Sequence, residues 1–259
     1  MVPLIIEQDV AGATTMGCEL PPLVSACTLT RYGGQPSAKV VYGAWTLCSE
    51  YLNESSHVFS VGIGGDVSFD AAIVRRHLSR VSCFDPTITG EGFEHTIQRQ
   101  ALSTVQRERV SFYPFGLAAA DDVLAFYHHN STKIGSLVST PNLPGYQKQA
   151  WLRAPVLRVQ TLQFIAHAPR IDVLKMDVEG AEWMMFRRRN KSLRDWLKCS
   201  PPPQIAIEFH DRMYRHDKTI QRARVVRLLK QCGYTLRHQN LPSKEENLFV
   251  RDHVATAGC

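Results

Sequence analysis

Ile171–Trp183 reads IDVLKMDVEGAEW. Apolar residues crowd its first half, and then Asp177, Glu179 and Glu182 gather around Gly180. A short apolar run that stops at a glycine and passes into an amphipathic segment is the pattern of a buried parallel strand entering a helix. Open α/β sheets bind ligands outside the carboxyl ends of such strands. Three acids therefore stand where a site is expected, although carboxylates also favour a helix N-terminus on electrostatic grounds alone. Asp177 and Glu179 fall at the strand end and are the candidate site acids. Glu182 falls inside the helix and reads as surface or local pairing.

The same alternation repeats on either side. HVFSVGIGGD (His57–Asp66) is a strand running into a glycine turn, and a helix over Ser68–Arg80 follows with Ser68 as its N-cap. VSCFD (Val81–Asp85) is the next strand, Glu94–Val105 a helix, and Arg109–Ala118 a third strand. Val123–His128 and Val156–Leu162 read as further short strands, separated by a polar loop, Asn130–Gln149, too long for an ordinary connection. Beyond the opening stretch come a helix from Glu182 to about Arg189 and a fifth strand, Gln204–His210. A helix with Ile220, Ala223, Val226 and Leu229 on one side then stops at Gly233. Tyr234–His238 and Asn247–Arg251 close the chain as strands joined without a helix, which requires one antiparallel strand. The expectation is an α/β fold: a Rossmann-like, doubly wound, mostly parallel seven-stranded sheet with a C-terminal antiparallel strand. Residues 1–50 lack clear periodicity and are expected to form an N-terminal arm packing on a domain of residues 51–259, with Trp45 as a packing residue.

Each strand end carries a chemical group. Gly62, Gly64 and Gly65 let backbone approach a ligand at the first turn, where helix N–H groups are free. Val67 stands where a dinucleotide fingerprint needs its last glycine, which argues against an NAD-binding oxidoreductase. Asp66 repels a pyrophosphate and attracts an ammonium or sulfonium, favouring S-adenosylmethionine. Asp85 can accept two ribose hydroxyls or can initiate a turn before Pro86. Asp121 or Asp122 is placed to take an adenine amino group or to cap a helix. At the fourth and fifth strand ends Asp177, Glu208 and His210 converge. His210 is the candidate base for a hydroxyl acceptor. The same trio supports a metal-assisted alternative. Lys175, within an apolar strand, needs an acid, and Glu208 or Asp172 is in reach.

Composition narrows the class. The 259 residues are 44% hydrophobic and 21% charged, enough apolar residues for a sizeable core. The net charge of +6 is partly local, in Arg187–Arg194 and Arg222–Lys230, and a solvated helix face is favoured over nucleic-acid binding. Seven cysteines show no C-x-x-C pair, so a zinc ribbon is not indicated. Cys18, Cys27 and Cys48 crowd the arm, where an oxidising compartment would permit a disulfide. No apolar run is long enough for a membrane span. The default location is cytoplasmic, with a secretory compartment open if Met1 is an internal start.

VFSVGIGGDVSFDAA (Val58–Ala72), CFDPT (Cys83–Thr87), FYPFGLA (Phe112–Ala118), VLKMDVEGAEW (Val173–Trp183) and IAIEFH (Ile205–His210) together resemble the FkbM-type methyltransferases of the class I S-adenosylmethionine-dependent superfamily. RYGG (Arg31–Gly34) and GAWTLC (Gly43–Cys48) look like the methyltransferase-like protein 24 branch. The resemblance implies S-adenosyl-L-methionine as cofactor and oxygen methylation of a small-molecule or glycan acceptor. It implies Ser60, Gly62, Gly64, Gly65, Asp66, Asp85, Gly116, Asp177 and Glu179 near the cofactor, and His210, Asp177 and Glu208 as catalytic. A non-catalytic binding module with the same fold is the alternative. The family's usual threonine–leucine–aspartate is Thr161, Leu162, Gln163 here, so no acid acts at 163.

Overall fold

The computed structural model describes residues 27–34, 44–128, 135–136, 150–186, 191–210, 219–241 and 243–252. The chain opens with β1 (Leu29–Tyr32) paired antiparallel to β2 (Trp45–Cys48). β3 (His57–Val61), α1 (Ser68–His77), β4 (Arg80–Phe84), α2 (Gly90–Gln98), α3 (Thr104–Arg107) and β5 (Val110–Tyr113) follow. A smaller four-stranded sheet comes next: β6 (Gly116–Leu117), β7 (Asp122–His128), β8 (Gly135–Ser136) and β9 (Leu152–Leu157), in the order β6-β9-β7-β8. α4 (Val159–Ile165), β10 (Val173–Met176), α5 (Glu182–Met185), α6 (Lys191–Cys199), β11 (Gln204–Glu208), α7 (Thr219–Gln231), β12 (Tyr234–Gln239) and β13 (Glu246–Arg251) complete it.

The main sheet has seven strands in the order β12-β13-β11-β10-β3-β4-β5. β3, β4, β5, β10 and β11 are parallel, while β13 runs antiparallel to both its neighbours. The expected seven-stranded, mostly parallel sheet with one reversed strand is therefore observed. Side chains alternate between two cores, as a strand's period of two demands. Phe59, Val61, Leu174, Met176, Ile205 and Ile207 pack with Leu162, Trp183, Trp196 and Leu229 of α4–α7. Val58, Val173, Ala206 and Leu248 face the other way, onto Phe69, Ile73 and Val74 of α1 and Trp45 and Leu47 of β2.

The β1–β2 pair thus covers the face shared with α1. Gln204 clamps it by accepting from the Cys48 N–H at 2.7 Å and donating to the Cys48 carbonyl at 3.0 Å. A Cys27–Cys48 disulfide closes the hairpin, and Trp45 is buried against Phe69.

Several local expectations need correction. Val67, not Ser68, stands at the N-cap of α1, without a side-chain cap; the Asp66 carboxylate before it accepts from the Ser68 N–H at 2.8 Å, while the Ser68 hydroxyl accepts from Gly34. Val156–Leu162 is the end of β9 plus the start of α4. Glu94–Val105 is interrupted after Gln98, and Arg109–Ala118 is split between two sheets by Pro114 and Phe115. α6 carries Lys191 and Arg194 of the basic stretch expected on a helix, and runs on to Cys199. The buried face of α7 is Val225, Leu228 and Leu229, with Ala223 exposed. Asn130–Gln149, apart from Gly135–Ser136, and Arg187–Arg189 lie outside the described residues. No helix among the described residues is long and apolar enough to cross a membrane.

Candidate active site

The parallel strands end at one edge, and two turns meet there. After Val61 the chain turns at Gly62, with φ +74°; a Cβ on this residue would stand 1.6 Å from the Asp177 carbonyl oxygen. Only glycine permits this contact between the ends of β3 and β10. Lys175 reinforces it by donating from Nζ to the Gly62 carbonyl at 2.6 Å. Lys175 lies 5.0 Å from the Trp45 ring centroid, and its buried electrostatic counterpart is Asp70 rather than Glu208 or Asp172. Asp172 instead accepts from the His57 N–H and pairs with Arg170.

Gly64 and Gly65 are different: nothing lies within 4 Å of where a Cβ would stand on either. Asp85 holds this open turn. One carboxylate oxygen accepts from Ile63 N–H at 3.1 Å and Gly64 N–H at 2.9 Å. The other accepts from the Thr87 N–H and hydroxyl at 2.8 and 2.6 Å. A carboxylate offers about four lone-pair sites, so these bonds fill Asp85. A ribose hydroxyl could bond to it only by displacing one of them.

Three expected cofactor contacts have other tasks. Ser60 is fully buried in the middle of β3, beside Asp70. Gly116 is packed in the second sheet, where a Cβ would meet Val156 at 2.9 Å and Pro86 at 3.3 Å. Asp121 binds the Arg158 guanidinium and backbone and the Thr161 hydroxyl at the start of α4, and Asp122 accepts from Val123 N–H. At 163, Gln163 closes the end of α4 on the Ala168 carbonyl and accepts from Trp196.

The turn after β10 carries the acids. Glu179 at φ +48° and Gly180 at φ +96° reverse the chain, an unusual backbone for a non-glycine residue. Glu182 is 0% exposed, so it is not a surface residue, and the local pairing expected as its alternative is what it makes. One of its carboxylate oxygens accepts from the Gly180 N–H at 2.9 Å and the other from the His210 N–H at 2.8 Å. It therefore ties the turn after β10 to the turn after β11. His210 is also 0% exposed. Its Nε2 faces Glu179 at 3.3 Å, Asp177 at 3.5 Å and Glu208 at 3.6 Å; its Nδ1 faces Glu182 at 3.5 Å. Neither ring nitrogen forms a hydrogen bond within the described residues. Glu246, opposite Glu208 in register, extends the acidic edge.

Burial by itself lowers the proton affinity of His210. Glu182, Glu179 and Asp177 outweigh it and push the imidazole up to about 10. Glu208 rises to about 8, first through burial and then through the Asp177 charge. The bare cluster therefore keeps a proton on His210 at neutral pH, whereas a base near its ordinary value was expected. The sequence reading missed Glu182 and Glu246. Glu182 had a signal in its apolar neighbours Ala181 and Trp183; Glu246 joins the edge only through strand pairing.

A cleft of about 490 Å³ lined by His57, Arg80, Ser82, Glu108 and Arg109 opens at the opposite, amino-terminal edge, away from these groups.

Residues 47–236 match the methyltransferase FkbM domain, and the chain belongs to that family. It is similar to the crystal structure of methyltransferase FkbM from Methylobacillus flagellatus KT, with 14% identity and a TM-score of 0.48, covering 77% of this chain and 44% of that one. It is also similar to an O-methyltransferase family protein from Burkholderia thailandensis, with 11% identity and a TM-score of 0.38, covering 78% and 52% respectively. The chain thus spans about half the length of these solved relatives. No curated protein matches its sequence.

Proposed function

We propose that the chain is an S-adenosylmethionine-dependent O-methyltransferase acting on a hydroxyl-bearing small molecule or glycan. The N-terminal motifs favour the methyltransferase-like protein 24 branch of the family. The observation that carries this reading is the contact of Gly62 with the Asp177 carbonyl, which seats an open glycine turn beside the carboxylate–imidazole cluster. The open space above Gly64 and Gly65 fits a bound methionine moiety, and the acids nearby suit a cationic one. When bound, S-adenosylmethionine supplies an electrophilic methyl group on a sulfonium.

The protein's own part is positioning and proton handling. Gly64, Gly65 and Asp66 would hold the amino-acid end, and Asp85 would keep the turn in shape. Asp177 and Glu179 would favour positive charge at the strand edge. Glu208, raised to about 8, would receive the hydroxyl proton only in its ionised form, so methyl transfer is expected to rise as pH increases through about 8. A protonated His210, 3.3 Å from Glu179 and 3.5 Å from Asp177, would offset the repulsion between the two carboxylates. Residues 1–50 would act as a cap on the domain of residues 51–259.

Disulfide bonding of Cys27, Cys48, Cys199 and Cys232 favours an oxidising compartment over the cytoplasm. Calorimetry with S-adenosylmethionine, S-adenosylhomocysteine and NAD tests the reading. Saturable binding of the first two and none of NAD is expected; binding of neither sulfur compound ends it.

A further inference from the structure

We infer that Asp177, Glu179 and the Nε2 of His210 form a divalent-cation site. One ligand atom from each lies within 4.8 Å of the others. Two ligands about 2.1 Å from one ion, at tetrahedral or octahedral angles, stand roughly 3.0–3.4 Å apart. The Nε2 distance of 3.3 Å to Glu179 lies within this spacing, and that of 3.5 Å to Asp177 just beyond it. An acidic cluster alone proves nothing, but here a fully buried imidazole points into it. Nε2 has no hydrogen-bond partner among the described residues, and neither does the buried Asp177 Oδ1. Burial of such polar atoms without a partner is costly, and a cation bridging them removes the cost.

The surroundings are those of a metal ligand. Glu182 faces the Nδ1 side of the ring at 3.5 Å and is itself fixed by the Gly180 and His210 backbone N–H groups. A carboxylate behind a ligating imidazole sets its tautomer and aims the other nitrogen at the ion. Glu208 lies 3.6 Å from Nε2, near enough to add a further oxygen. One nitrogen with two or three carboxylate oxygens suits Mn²⁺, Mg²⁺ or Zn²⁺. The ion would leave positions for an acceptor oxygen and would ease loss of its proton. The ligand set thus differs from the trio expected from sequence by including Glu179.

The site is defined by the protein alone, so its test is separate from methyl transfer. Full-length protein stripped with a chelator is titrated with Mn²⁺ by calorimetry and followed by pulsed electron paramagnetic resonance. One saturable Mn²⁺ per chain with coupling to a single imidazole nitrogen is expected. Asp177→Asn and Glu179→Gln should each weaken binding at least tenfold, and His210→Gln should abolish the nitrogen coupling. Asp121→Asn, remote from the cluster, should change nothing. Circular dichroism checks folding, and if His210→Gln fails to fold, the two carboxylate variants carry the test. No saturable binding, no nitrogen coupling in the parent protein, or binding indifferent to the carboxylate variants overturns the inference. S-adenosylhomocysteine binding without Mn²⁺ binding refutes the cation site and spares the methyltransferase reading. Mn²⁺ binding without binding of either sulfur compound does the reverse.

Discussion

Gly62 shows how much one missing side chain decides. Its backbone is left-handed, and the space its Cβ would need is the Asp177 carbonyl. Gly64 is also left-handed, at φ +54°, but faces open space. The two therefore separate strain from collision. Gly64→Ala should cost about 1 kcal/mol, the conformational penalty alone. Gly62→Ala should cost about 3 kcal/mol or more, because backbone must move on two strands. Urea denaturation of both variants checks this; equal losses would mean that the strand-end contact is not tight. Glu182 makes the complementary point. Its place in a helix after an acid-rich strand end gave no hint that both oxygens would be spent on backbone N–H groups of two different turns.

Among elements, the strands were legible because a strand buried on both faces is an unbroken apolar run. His57–Val61, Val173–Met176 and Gln204–Glu208 approach that form, buried almost throughout and mostly apolar, with Ser60 and Lys175 as interior polar exceptions. Shorter or mixed runs were not legible: Val156–Leu162 has a composition that serves a strand end and a helix start equally well. The glycine turn was visible as a turn, but its support was not. Asp85 belongs to the neighbouring strand and reaches across to Ile63 and Gly64. Asp85→Asn keeps the shape but places an N–H donor against donors. It should cost about 2 kcal/mol in urea denaturation, the range for charge-assisted hydrogen bonds lost in a buried setting. A loss below about 0.5 kcal/mol, the scale of an ordinary surface substitution, would show that the turn holds itself.

Over the whole molecule, the β1–β2 pair is joined to the sheet by Gln204 and closed on itself by Cys27–Cys48. The paired substitution Cys27→Ser with Cys48→Ser should lower stability by about 3 kcal/mol, the expectation for a disulfide closing a loop of this size. Thermal denaturation with and without reductant checks it: reductant should destabilise the parent more than the variant. An unchanged melting temperature in the variant would make the hairpin's docking independent of the bridge.

The amino-acid sequence by itself determined the alternation of strands and helices, the reversed strand near the end and the strand-end position of Asp177 and Glu208. These follow from local patterning: apolar period, glycine placement and acids at the limits of apolar runs. Tertiary structure alone decided which of those groups meet. Glu182, Glu246 and the orientation of the His210 ring depend on contacts between residues distant in sequence, made by strand order and by two turns packing on each other. Ser60 and Gly116 left the site for the same reason: a residue's neighbours across the sheet, not its neighbours along the chain, determine what its atoms can touch.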